Sequence, residues 1–412
     1  MKRHMSIATR FIAILLCLLA AVSIVSCGSK EDVEAETPPP TETESRTPPP
    51  SPSPPDESQD TSEPPEPVTN LVPYDGVVEH IFFHEVIAWP ERAFRGGSGQ
   101  KGYDDNMVTV YEYNKILESL YRNNFILVDL NDVWSEFIND NGQRRMRANT
   151  LMLPEGKKPL VISYDDLSFY EYMVGDGFMD KYIIGEDGDI WATGLDPSGN
   201  RIVSQDLAAV TILDKFIREN PGFSLNGAKG CIALTGYQGI LGYRTQYDKD
   251  NDTQQARLDR MQEIARVRPV VQRLKDTGWY FATHSYGHIN LERMSLNGVM
   301  NDANRWLDEV GSLVGETKIF IYPFGSRLDG NDVWSTGPAL EFYVGLGFRV
   351  FASVGVSHFS RIKPDIAAVM LDRANSDGYT LRNRRERFMR FYDAKEVFDP
   401  MRPSGPGYEV DW

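Results

Sequence analysis

Short apolar runs alternate with longer segments of helical period from residue 80 to residue 355, and this alternation constrains the fold more than any other feature of the chain. The runs are HIFFH (80–84), FILVDL (125–130), PLVISYDD (159–166), GCIALTGY (230–237), YFATHS (280–285), KIFIYPFG (318–325) and RVFASVG (349–355). Each has the length of a buried strand. Between them, VYEYNKILESLYRNN, DLAAVTILDKFIREN, QARLDRMQEIARVRPVVQRLKD, GVMNDANRWLDEVGSLV and PALEFYVGLG read as helices. Strand followed by helix, repeated, predicts an α/β fold with parallel strands covered by helices, and seven strands favour a closed or nearly closed barrel. Residues 181–204, KYIIGEDGDIWATGLDPSGNRIVS, break the alternation with two turn signals. They predict a β-hairpin within an insertion of about 176–229, either overhanging the site or decorating the surface.

The N-terminus belongs to a different class of segment. Lys2, Arg3 and Arg10 precede an apolar run from Phe11, and the run ends in Ile24, Val25, Ser26 and Cys27. This is the layout of a secretory signal over residues 1–26, and its last four residues resemble a bacterial lipobox in which Cys27 is lipidated. The run is short for a transmembrane anchor and has no basic flank after it. Residues 27–70 are rich in Pro, Glu, Ser and Thr, with little apolar surface to bury, and predict a disordered tether. The expectation is an extracytoplasmic lipoprotein, held to the membrane through Cys27, with one folded domain over 71–412. Removing Lys2, Arg3 and Arg10 leaves 40 basic side chains against 59 acidic, a formal charge of −19. With no basic patch to offset it, that charge argues against nucleic acid as a partner. Cys17 and Cys27 fall outside the folded domain, so Cys231 stands alone and no disulfide framework exists.

In a parallel α/β barrel, catalytic groups gather where strands end. Asp165 and Asp166 follow LVISY, His284 and His288 follow YFAT, and YPFG follows KIFI. Taken singly, paired aspartates are usually a loop or helix cap, and a histidine pair is often polar trim. Together, two imidazoles and one carboxylate make a facial set for a divalent ion, leaving a second carboxylate free to act as a base. Such a set suits Zn²⁺ and also accepts Co²⁺, Ni²⁺ or Mn²⁺.

The combination YDD, HSYGH and YPFG, in that order and at strand ends, resembles the polysaccharide deacetylase family, also called the NodB-homology or carbohydrate esterase family 4 domain. The resemblance covers roughly residues 75–375. It implies a distorted (β/α)7 barrel that removes acetyl groups, with metal assistance, from an acetylated polysaccharide such as peptidoglycan, a chitin-like polymer or an exopolysaccharide. It makes Asp165 the general base, Asp166, His284 and His288 the metal ligands, and the main-chain N–H of Phe324 an oxyanion donor. Three positions depart from the family pattern. Leu167 replaces the usual Gly, Ile321 stands where an Arg orients the base, and Asp372 in VMLDR stands where a general-acid His falls. His358 is the candidate to replace the acid and Arg373 the candidate to replace the Arg. His84 is a further candidate for the same pocket, against the alternative of a capped strand-end histidine. Loss of the Arg and the acid leaves a second class open, a catalytically impaired domain that binds carbohydrate. A nucleophilic Ser or Cys enzyme fits poorly, because no G-x-S-x-G elbow is present and Cys231 lacks a local signature. Trp89, Trp191 and Trp334 are candidates to stack on sugar rings.

Overall fold

The structure is a computed structural model that describes residues 70–97, 99–329, 336–355, 358–363 and 365–412. The signal segment, Cys27, the tether and Trp334 lie outside the described residues. Seven parallel strands close into a barrel, and we number them in chain order: β1 (Glu79–Phe83), β2 (Lys158–Asp165), β3 (Cys231–Leu234), β4 (Tyr280–Thr283), β5 (Ile319–Ile321), β6 (Val350–Val354) and β7 (Ala368–Asn375). Each strand pairs in parallel with the next, and β7 returns to β1 through Ala374 opposite Ile81 and Asn375 opposite Phe82. The expected (β/α)7-type barrel is therefore present. Helices α1 (Val110–Arg122), α2 (Ala209–Glu219), α3 (Gln254–Asp276), α4 (Leu296–Trp306) and α5 (Pro338–Gly345) follow β1 to β5 in turn.

The membership of the ring differs from the sequence expectation by one strand. The run at 125–130 forms only a short strand, Phe125–Leu127, which pairs with the first residues of β2. Further along, β2 pairs instead with β3, so Phe125–Leu127 is a wedge at one end of the wall. The missing member is β7, whose apolar run is interrupted by Asp372 and Arg373. After β6 no helix forms among the described residues. The chain doubles back as Ser360–Lys363, antiparallel to β7, and this is the main distortion of the barrel. The insertion is a three-stranded antiparallel meander, Met179–Ile184, Ile190–Leu195 and Arg201–Ser204, rather than a single hairpin. The turns EDGD and DPSGN each close one connection. Through Met179, Tyr182, Ile190 and Ala192 the meander packs into the core beside α2 and α3, so it forms part of the wall.

Side-chain alternation sorts each strand into two environments. On β2, Leu160, Ile162 and Tyr164 face the helices, while Val161, Ser163 and Asp165 face the lumen. The lumen is narrow and filled by small or branched residues, among them Ala233, Ala282, Ile321 and Ala352. Helix ends follow local rules: Thr109 and Glu112 form a reciprocal capping box at the start of α1, and Ser295 accepts from the Gly298 N–H at the start of α4.

A buried ion network ties the C-terminal segment to α1. Fully buried Arg402 bonds to Glu112 at 2.5 and 2.7 Å and to Asp104 at 2.8 Å, and Arg382 joins Asp104 at 3.0 Å. Removing one partner of such a network leaves an uncompensated buried charge. Arg402→Met is accordingly expected to lower stability by about 3–5 kcal/mol in urea titrations followed by circular dichroism.

Candidate metal centre and active site

At the end of β2 the backbone turns at Asp166, which takes a left-handed conformation with φ of 60°. This turn sends the Asp165 and Asp166 side chains to different partners and carries Leu167 into the core, fully buried. Leu167 is thus a packing residue where the family pattern has Gly. The Asp166 carboxylate accepts from the Tyr170 hydroxyl at 2.7 Å, and Tyr170 also meets the Thr235 hydroxyl at 2.9 Å. Burial, followed by the charge of Asp166, pushes the Tyr170 pKa up, so the phenol stays a donor.

Two turns on the far side of the lumen bring the histidines in. His284 ends β4, and its Nδ1–H donates to the Ile321 carbonyl at 2.9 Å. A carbonyl only accepts, so this bond fixes the tautomer and leaves Nε2 free to act as a ligand. The following loop is pinned by Asp302, which accepts from the Tyr286 and Gly287 N–H groups at 2.7 and 2.9 Å. Ser285 and His288 both have positive φ, 56° and 49°. Burial lowers the His288 pKa, opposed in part by Asp166, which favours the neutral, ligating imidazole.

Asp166, His284 and His288 form a group whose ligand atoms all lie within 4.8 Å of one another. His288 Nε2 is 3.4 Å and His284 Nε2 is 3.9 Å from Asp166 Oδ2. Tetrahedral ligands about 2.0–2.2 Å from Zn²⁺ lie roughly 3.3–3.6 Å apart, so the donor set and its spacing fit a small divalent cation. Asp165 stands beside this set, 3.9 Å from His284 Nε2.

Asp165 is held from the opposite side. Arg373, fully buried on β7, bonds to both its carboxylate oxygens at 2.7 and 2.9 Å and to the Ser163 hydroxyl at 3.0 Å. To reach β2 it crosses the face of Phe82 on the intervening β1, with the guanidinium 4.0 Å from the ring centroid. His80 completes the group by bonding Ser163 at 2.9 Å. Burial alone would raise the Asp165 pKa, but the charge and hydrogen bonds of Arg373 oppose it, and the carboxyl is brought down to about 2. The carboxylate is therefore ionised at any working pH. Arg373 is thus the guanidinium partner of Asp165, and the Ile321 main chain accepts from His284 instead.

Asp372 cannot share that role. Strand alternation turns it away from the lumen, where it pairs with Arg327 at 2.6 Å. His358 is not brought to the cluster either. The antiparallel return after β6 carries it into the lining of a separate cavity of about 250 Å³, with Tyr74, His80, Trp134 and Leu371. His84 is placed at the mouth, its Nδ1–H donating to the Asn106 carbonyl at 2.8 Å. Phe324 has φ of 58°, is 67% exposed, and sets its ring edge-on to His288 with centroids 4.3 Å apart. Cys231 faces the lumen core, and burial pushes its thiol pKa up, so it is no nucleophile.

The aromatic residues at the rim differ from those the sequence singled out. Trp191 is tied to Asp187 in the meander, and Trp89 packs on the core. Beside the candidate metal ligands stand Tyr172 and Tyr237, 61% and 46% exposed, each ringed against Tyr170 with centroids 5.6 and 5.7 Å apart. Their only sequence signal is the density of aromatics in SFYEY and TGY.

No protein-family model matches the chain, and no curated protein does. Among solved structures it is similar to the Streptococcus pyogenes deacetylase PplD in complex with acetate, at 12% identity over 75% of this chain and 94% of that one, with a TM-score of 0.39. It is also similar to a family 4 carbohydrate esterase from Streptomyces lividans in complex with acetate, at 15% identity over 42% and 75% of the two chains, TM-score 0.22. A GH57 branching enzyme from Thermococcus kodakaraensis is similar at 12% identity over 74% and 48%, TM-score 0.24. At these values the likenesses add nothing to what the strands and side chains of this chain show by themselves.

Titration calorimetry of the metal-free protein with Zn²⁺ is expected to give one tight site. Asp166→Ala and His284→Ala are expected to abolish it. Asp165→Asn is expected to keep it within a few-fold, which separates the ligand from its neighbour.

Proposed function

We propose that the protein is a metal-dependent deacetylase of an acetylated polysaccharide, hydrolysing a sugar acetamide to amine and acetate. The observation that carries this reading is the ionised, unligated Asp165 held by Arg373 beside three convergent metal ligands. A divalent cation bound there supplies Lewis acidity, polarising an acyl oxygen and lowering the pKa of water. Asp165 accepts a proton from the attacking water, and Arg373 keeps both carboxylate oxygens oriented and charged for that task. The Phe324 main chain, on the turn against His288, is the candidate oxyanion donor, a role in which one such donor contributes roughly 3 kcal/mol. Tyr172, Tyr237 and Phe324 offer exposed rings on which a saccharide can stack, next to the candidate ligands and on three different loops.

The alternative of an inactive carbohydrate-binding domain drew on two missing groups. Arg373 supplies one of them, and the active reading is preferred for that reason. The reading extends to the N-terminus: lipidation at Cys27 and the tether would hold the domain outside the cytoplasm within reach of a wall or surface polymer.

The test is acetate release from acetylated glycans by the metal-loaded protein. Release is expected to stop on chelation and to return with Zn²⁺. Asp165→Asn is expected to lower kcat by about 100-fold or more, in the range of general-base loss. Metal and glycan binding with no release by the wild type would sink the proposal. Arg373→Met is expected to lower both activity and stability, the latter by about 3–5 kcal/mol, because the Asp165 charge is left buried and unpaired.

A further inference from the structure

The cavity of about 250 Å³ that receives His358 takes no part in the chemistry above, and none of Asp165, Asp166, His284 and His288 lines it. Val78 and His80 around the start of β1, Val161 on β2 and Leu371 on β7 form its barrel side. Leu130, Val133, Trp134 and Leu151 close it from the other side, on and beside the antiparallel hairpin of Trp134–Ile138 and Arg144–Ala148. Val77, His358 and Ser360 at its edge are exposed, so the space is open to small molecules from solvent.

Size and walls restrict the occupant. Protein interiors keep few voids larger than a water molecule. A cavity walled by aliphatic and aromatic side chains stays dry, and one of roughly 150 Å³ takes a benzene ring. At about 250 Å³ the present one accommodates a ring with a short substituent. Its apolar walls disfavour an ion.

One polar group then sets the chemistry. His80 is 7% exposed and lines the cavity, and its Nδ1 is buried with no hydrogen-bond partner among the described residues. The other ring nitrogen assigns the proton. Arg373 can only donate to the Ser163 hydroxyl oxygen, so the Ser163 O–H is left to donate to His80 Nε2. Burial, followed by the charge of Arg373, lowers the His80 pKa, so the ring is neutral and its single N–H is at Nδ1. A buried N–H is costly to leave without an acceptor. We propose that this cavity is a second binding site, for a small neutral molecule whose apolar body fills it and whose one acceptor oxygen takes the His80 Nδ1–H.

The test uses the full chain and pairs of probes that differ only by oxygen against CH2: acetophenone with α-methylstyrene, and cyclohexanone with methylenecyclohexane. Binding is followed by the melting temperature and by the NMR shifts of the histidine ring nitrogens. Each carbonyl compound is expected to raise the melting temperature, to move the His80 nitrogens, and to bind about five- to tenfold more tightly than its hydrocarbon partner. His80→Phe is expected to erase that preference. Val161→Phe and Ala148→Trp, which fill the cavity from the barrel and from the hairpin, are expected to abolish binding of every probe while Zn²⁺ affinity is kept. Should Val161→Phe fail to fold, Ala148→Trp answers alone, because it lies outside the barrel strands. An unshifted melting temperature with unmoved His80 nitrogens in the wild type, equal affinity within each pair, or binding that survives Ala148→Trp would overturn the assignment. None of these readouts depends on acetate release, so failure of the deacetylase reading and failure of this one are told apart.

Discussion

The buried pair of Arg373 and Asp165 is the interaction on which the site depends. Taking two charges out of water costs several kcal/mol each, and the cost is offset only when geometry and remaining hydrogen bonds are good. Here both carboxylate oxygens are paired, Ser163 takes a further guanidinium N–H, and the Phe82 ring covers the cation. The pair also has a structural requirement. Arg373 and Asp165 sit on strands with β1 between them, so the bond exists only because the sheet closes and brings β7 beside β1. Closure of the barrel and formation of the Arg373–Asp165 pair are one event.

Backbone strain is concentrated in the same place. Asp166, Ser285, His288 and Phe324 all have positive φ, although none is glycine. Such conformations cost on the order of 1–3 kcal/mol each and persist where the surroundings enforce them. The enforcing contacts are visible: Tyr170 on the Asp166 carboxylate, Asp302 under the 286–287 main chain, and the Ser353 hydroxyl on the Gly325 carbonyl at 2.7 Å. Each turn re-aims a side chain or peptide over the lumen mouth. The barrel carries these strained ends, and the ends carry the candidate site.

The candidate ligand set was legible in the sequence because it lies at the ends of two strands with plain apolar signatures. Position at strand ends singles out Asp165, Asp166, His284 and His288 as a group, and only the family resemblance distinguishes Asp166 as the ligand from Asp165 as the base. The partner of Asp165 was only a candidate, since nothing in VMLDR says which of Asp372 and Arg373 faces inward. A shift of one residue exchanges their roles, and the pairing of β7 with β6 and β1 decides it. The same interrupted run hid β7 itself, and its place in the ring was given to 125–130. That segment is equally apolar, but only its first residues find a partner strand. His358 was misplaced for a related reason: proximity to β6 in sequence suggested the mouth, and the antiparallel return leads the chain away from it.

By itself, the sequence determined the class of fold and the chemical character of the site. Apolar runs of strand length between amphipathic helices are buried as a covered parallel sheet, and two histidines with two aspartates at strand ends are the residue types that a site with a metal and a base requires. Tertiary structure alone decided the circular order of the strands, the inward face of β7, and the positions of His84 and His358. These depend on which strands pair, above all the closure of β7 onto β1 from opposite ends of the domain, and local periodicity carries no information about which strand will complete a ring.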